Sequence, residues 1–142
     1  MKHIHFDVES DGFYGAYWAC KDGSDCAVIA MLGDDPEDYM ARSAVKWLLR
    51  LGVNVLTMSP AKKDYSHHNY PLECIEKAIA WLKSHGSAKI GIAGASTTGT
   101  LALTAASIFD DISLTVAMTP SDFVWQGFMQ GKKDGCKEWP IE

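Results

Sequence analysis

The sequence predicts a doubly wound α/β fold: a mostly parallel sheet with helices on both faces and an antiparallel hairpin at its start. Three observations carry this. Short apolar runs at 26–32, 53–58, 90–93 and 112–118 read as strands, that at 26–32 as one buried on both faces. The segments between them space their apolar residues for helices. Gly52 and Gly86 stand where the first two helices must stop. Strand and helix in alternation require parallel crossovers, hence helices above and below one sheet.

The elements follow in order. Phe13 to Ala19 is aromatic-rich and reads as a strand, Lys21 to Asp25 as a turn cluster, and Cys26 to Leu32 as the next strand. These two strands are expected to form the antiparallel hairpin. Asp35 is the expected N-cap of the first helix, with Pro36 as its first residue. That helix runs to about Leu51, with Ala41, Ala44, Val45 and Leu48 on one face. Val53 to Met58 is a buried strand and Ser59 to Asn69 a polar loop. Pro71 opens a second helix with Leu72, Ile75, Ile79 and Leu82 on one face. Ile90 to Ala93 is a short strand. Gly99 to Ile108 is a helix of small residues, and Ile112 to Met118 is the last parallel strand. Trp47 and Trp81 read as packing residues. From Thr119 onward there is no clear periodicity.

The 142 residues suit one domain, with 47% hydrophobic and 22% charged residues. The net charge of −5, without a basic cluster, argues against nucleic acid and anionic membrane as partners. The first residues are polar and no apolar run could span a bilayer. Cys20, Cys26, Cys74 and Cys136 form no CxxC pair, so reduced thiols in a cytoplasmic protein are expected. His67 and His68 are adjacent and lack metal-ligand spacing. Neither a metal nor a cofactor is expected.

The segment that carries chemistry is Gly91-Ile92-Ala93-Gly94-Ala95-Ser96-Thr97-Thr98-Gly99, between a strand and a helix. It approximates the nucleophile elbow G-x-S-x-G. An elbow needs small residues because strand and helix approach closely there, and Gly94 and Gly99 are placed to allow it. Ser96 is the candidate nucleophile. The Thr97 N–H, at a helix N-terminus, is a candidate oxyanion donor. The second glycine of the motif is displaced to Gly99, and Thr98 puts a β-branched side chain where closeness matters. Gly33 and Asp34, after the strand at 26–32, are candidates for the second oxyanion N–H; they read equally as an ordinary strand-to-helix loop. Gly94 to Gly99 also has P-loop glycine spacing, but Thr100-Leu101 stands where lysine and Ser/Thr belong. A dinucleotide fingerprint would need glycine at Ser96. The plain structural alternative is a tight turn whose serine caps the helix.

A wider stretch resembles one family. Tyr70-Pro71-Leu72-Glu73, the run Ile75 to His85, Lys89-Ile90-Gly91-Ile92 and the Ser96 turn are similar to the catalytic domain of acyl-CoA thioester hydrolases and bile acid-CoA:amino acid N-acyltransferases. Ala117 to Ser121 and Val124 to Gly127 resemble that family's next strand and loop. The resemblance spans about residues 13 to 127. It implies a three-layer α/β-hydrolase fold, a Ser or Cys nucleophile at the position of Ser96, and acyl esters or thioesters as small-molecule substrates.

In such enzymes the chain order is Ser, then Asp or Glu, then His. His3, His5, His67, His68 and His85 all precede Ser96. Asp122 is the best acid candidate, though a solvated loop aspartate is the preferred reading. The expectation is therefore a partial α/β-hydrolase domain lacking its last strands. Ile112 to Met118 would then be a sheet edge through which the chain self-associates.

Overall fold

The computed structural model describes residues 2–60 and 70–124. His67, His68, Cys136 and the Trp125 to Gly127 stretch lie outside the described residues. The elements are β1 (Ile4–Phe6), α1 (Val8–Asp11), β2 (Gly15–Trp18), β3 (Cys26–Met31), α2 (Tyr39–Arg50), β4 (Asn54–Met58), α3 (Glu73–Ser84), β5 (Lys89–Ala95), α4 (Thr97–Ile108) and β6 (Ile112–Met118).

The strands form one sheet in the order β1-β2-β4-β3-β5-β6. β3, β4, β5 and β6 are parallel, while β1 and β2 are antiparallel to their neighbours. The amino-terminal hairpin exists, but it joins β1 to β2. β2 does not pair with β3 as the sequence led us to expect; it lies against β4, with Gly15 opposite Met58 and Trp18 opposite Val55. The reason is burial. The β3 run is apolar on both faces, so it belongs in the middle with a parallel strand on each side, and β4 and β5 take those places.

Helices cover both faces. α2 packs Val45 and Leu48 on Ala16, Trp18, Ala30 and Val55. On the other face α3 and α4 bring Ile75, Ile79, Leu82, Ala102 and Ala105 onto Ile29, Leu56, Ile90 and Ile92. This is the expected three-layer architecture.

Two local expectations are corrected. The N-cap of α2 is Asp38, whose carboxylate accepts the Ala41 N–H at 2.8 Å. Asp35 instead accepts the Glu37 N–H at 2.9 Å and caps the turn before the helix. Trp47 is not a packing residue: it is 62% exposed, because it sits beside the Ala41/Val45/Leu48 stripe. Trp81 does pack, with its ring edge-on to Phe6 and Tyr17.

Candidate active site

Small residues bring β5 and α4 together. A Cβ on Gly94 would collide with the Thr98 carbonyl, and one on Gly99 would stand 3.2 Å from the Met118 carbonyl oxygen and 3.3 Å from that of Gly94. Only one residue, Ser96, separates the end of β5 from the start of α4. A phosphate-cradling P-loop needs several residues there, so the turn is too short for one.

Ser96 has φ 53° and ψ −121°, a strained conformation for a residue with a Cβ. Its N–H donates to the Met118 carbonyl at 2.9 Å, and its carbonyl accepts the Thr100 N–H at 3.1 Å. Ser96 is exposed, and its hydroxyl makes no helix-capping bond. It therefore stands beyond the carboxyl end of β5 without closing the helix. The Thr97 N–H has no acceptor among the described residues. It opens a twelve-residue helix, where the backbone dipoles favour negative charge.

Thr98 does not crowd the turn. Its buried hydroxyl lies 2.6 Å from the Met31 carbonyl, 2.9 Å from the Ala95 carbonyl, and accepts the Ala95 N–H at 3.0 Å. It ties the turn to the end of β3. Sequence reading missed this role; the only available signal was the β-branched residue displacing a motif glycine.

The Gly33–Asp38 loop leaves the end of β3. Met31 pairs with Gly94, so Gly33 and Ser96, each two residues on, leave the sheet at the same level. Gly33 has φ 102°, and a Cβ there would strike the Asp38 carboxylate. That carboxylate accepts the N–H of Asp34 at 2.8 Å and of Asp35 at 3.3 Å. Ser59 donates to the Asp34 carbonyl at 2.9 Å and Thr57 to the Pro36 carbonyl at 2.7 Å. The loop is thus fixed from β4 and from its own helix cap. The Asp34 N–H is engaged; the Gly33 N–H has no acceptor among the described residues.

The described histidines lie elsewhere. His3 and His5 both meet Glu37, and β1 is four strands from β5, roughly 19 Å away at the usual strand spacing. His85 caps α3 and stacks on Trp81, near the end of the sheet where β5 begins. Asp122 is exposed and follows β6. The site as described therefore offers an exposed hydroxyl and two unengaged N–H groups, without a general base beside them. No described helix is long and apolar enough to cross a membrane. Among the described residues, no cluster of three or more His, Cys, Asp or Glu is placed to hold a metal.

Comparison with known proteins gives a family and a fold. The family model described as BAAT / Acyl-CoA thioester hydrolase C terminal matches residues 70–141. An esterase from Pyrococcus furiosus superposes with a TM-score of 0.63 at 23% identity, covering 84% of this chain and 48% of its own. Est1E from Butyrivibrio proteoclasticus superposes with a TM-score of 0.63 at 20% identity, covering 84% of this chain and 51% of its own. The chain thus spans about half the length of these two solved structures, with which it shares the α/β-hydrolase fold. No curated protein matches the sequence.

Proposed function

The chain belongs to the BAAT / acyl-CoA thioester hydrolase C-terminal family, and on that premise we propose that Ser96 is the nucleophile of an acyl-ester or acyl-thioester hydrolase or acyltransferase. The observation that carries this reading is the backbone at Ser96. A non-glycine residue with φ 53°, exposed between a strand and a helix, holds a strain that the nucleophile elbow uses and a plain helix cap does not need.

The reaction follows from the groups present. Ser96 Oγ bonds to the acyl carbonyl carbon, and negative charge collects on the carbonyl oxygen. The N–H groups of Thr97 and Gly33 receive it. Collapse expels the alcohol or thiol leaving group and leaves an acyl ester on Ser96. Water, or an acceptor nucleophile in a transferase, then attacks that ester and restores the hydroxyl. The base that takes the Ser96 proton is a histidine outside the described residues. The elbow is built from Gly94, Gly99 and Thr98, and Asp34 serves through its neighbour Gly33, whose position the Asp34–Asp38 hydrogen bond fixes. The setting is cytoplasmic, a reading supported by the free thiols of Cys20, Cys26 and Cys74.

A second reading, a binding module that keeps the fold without the chemistry, is favoured by one observation: no described histidine reaches Ser96. Peptide mapping by mass spectrometry after exposure to a p-nitrophenyl ester separates the two. The nucleophile reading expects the acyl group on Ser96 and its loss in Ser96→Ala. Acylation spread over several serines and lysines, unchanged in Ser96→Ala, would favour the binding module.

A further inference from the structure

Three neighbouring strands end in the same way. Met31, Gly94 and Ala117 stand in register across β3, β5 and β6. Two residues beyond each come Gly33, Ser96 and Thr119, with φ of 102°, 53° and 46°. The chain therefore leaves all three strands through a positive-φ residue at one level, with Ser96 in the middle. Among the described residues, Ser96 and Thr119 are the non-glycine residues with positive φ; the other such positions, Gly33 included, are glycines. Glycine adopts this backbone without strain, whereas a β-branched residue rarely adopts it at all. Threonine at 119 is therefore a strained choice where glycine would serve the turn.

Thr119 is held from both sides. The Met118 carbonyl accepts the Ser96 N–H at 2.9 Å, so the peptide that joins Met118 to Thr119 lies directly against the Ser96 backbone. Two residues later the Ser121 N–H donates to the Thr100 hydroxyl on α4 at 2.9 Å. Thr119 itself is exposed, like Ser96. Strained non-glycine backbone of this kind gathers at ligand sites, where the role of the side chain offsets its conformational cost.

We infer that the Thr119 side chain bounds the space for the acyl group on Ser96 and so selects against branching next to the carbonyl; the inference rests on Ser96 being the nucleophile. The argument is directional. Gly33 flanks Ser96 on the β3 side and Thr97 opens α4. With the carbonyl oxygen drawn to their N–H groups, the substituents of the carbonyl carbon extend away from β3, toward β6. The leaving group departs after the first step, but the acyl group stays bonded to Ser96 Oγ until the second. Its α-carbon is thus the substrate atom that a residue beside Ser96 constrains throughout. A β-branched side chain is stiff about χ1 and presents fixed bulk there.

The test follows acylation of Ser96 in the 142-residue chain by p-nitrophenyl acetate and p-nitrophenyl pivalate. The two esters share a leaving group and differ in branching at the acyl α-carbon. Thr119→Gly should raise the pivalate-to-acetate rate ratio about tenfold or more over the wild type, the order that removing a methyl group or two from a pocket makes. Thr119→Ser should raise it by less. Thr119→Val, with the same shape and no hydroxyl, should leave it unchanged. Circular dichroism checks that each variant is folded. A merely structural role would change both rates together and leave the ratio alone in Thr119→Gly and Thr119→Ser, which would overturn the inference. So would a ratio that moves as far in Thr119→Val as in Thr119→Gly. Acylation that persists in Ser96→Ala removes the nucleophile reading, and the inference with it. Acylation lost in Ser96→Ala, with the Thr119→Gly ratio at the wild-type value, leaves that reading intact and overturns the inference alone.

Discussion

The Thr98 hydroxyl sits 2.6 Å from the Met31 carbonyl oxygen, joining the turn that carries Ser96 to the end of the strand that leads to Gly33. The two sides of the candidate site are thereby linked through one buried hydroxyl. The same oxygen accepts the Ala95 N–H, so the last residue of β5 is satisfied by the first turn of α4.

Thr98→Val keeps the shape and removes these bonds. It leaves the Ala95 N–H and the Met31 carbonyl without that partner in a buried place, and should cost about 1–3 kcal/mol. Thr98→Ser keeps the hydroxyl and should cost clearly less. Urea unfolding followed by circular dichroism measures both. Equal losses in the two variants would mean that the methyl group, not the hydroxyl, matters there.

Gly94→Ala should be the more damaging change. Its new methyl group would press on the Thr98 backbone carbonyl, which cannot swing away without moving α4. A loss of about 2–4 kcal/mol, as for forced overpacking of a close backbone contact, is expected in the same unfolding experiment. Gly99→Ala meets its nearest atoms at 3.2 and 3.3 Å and should lose less.

Much of this was legible in the sequence. The parallel strands carry continuous apolar runs, and the limits read for Ile112 to Met118 are the observed ones. The tight turn at Gly94, Ser96 and Gly99 was legible because the close approach of strand and helix admits few side chains. The strand order was less so. Pairing is decided by which strand gains most from burial on both faces, and that competition is not local. β1 has only three residues, too few for a period-two pattern to stand out. Asp35 and Asp38 are both good caps, and the choice between them depends on the left-handed Gly33 that turns the loop back onto Asp38. The role of Thr98 was hidden because its acceptor, Met31, lies 67 residues away.

Cys26 offers a test of local electrostatics far from Ser96. The Asp25 carboxylate accepts its S–H at 3.4 Å and holds the thiol above its ordinary value of 9.0, with desolvation and the same negative charge adding to the effect. A raised thiol value means less thiolate, hence slower alkylation, at any pH below it. Asp25→Asn should therefore speed iodoacetamide labelling of Cys26 severalfold at neutral pH. The difference should fade as pH rises past the wild-type value, where both thiols are ionised. Labelling rates that are equal in the two proteins at neutral pH would show that Asp25 does not govern this thiol.

Catalysis by the chain alone should be slow. An elbow serine is a weak nucleophile until a base removes its proton, and loss of a triad member costs several orders of magnitude in rate. His3 and His5 are committed to Glu37, and His85 stacks on Trp81 near the opposite end of the sheet. On the proposed reading, what the described site can still supply is the pair of N–H groups at Thr97 and Gly33, which would receive the oxyanion without activating the hydroxyl. The expected behaviour is a slow acylation of Ser96 by an activated ester that approaches one equivalent, with little turnover afterwards. Ser96→Ala should remove the acylation. Steady-state release of p-nitrophenol checks this directly. Brisk turnover that disappears in Ser96→Ala would mean that a base does reach the serine, and single His67→Gln and His68→Gln variants would then show whether either residue supplies it.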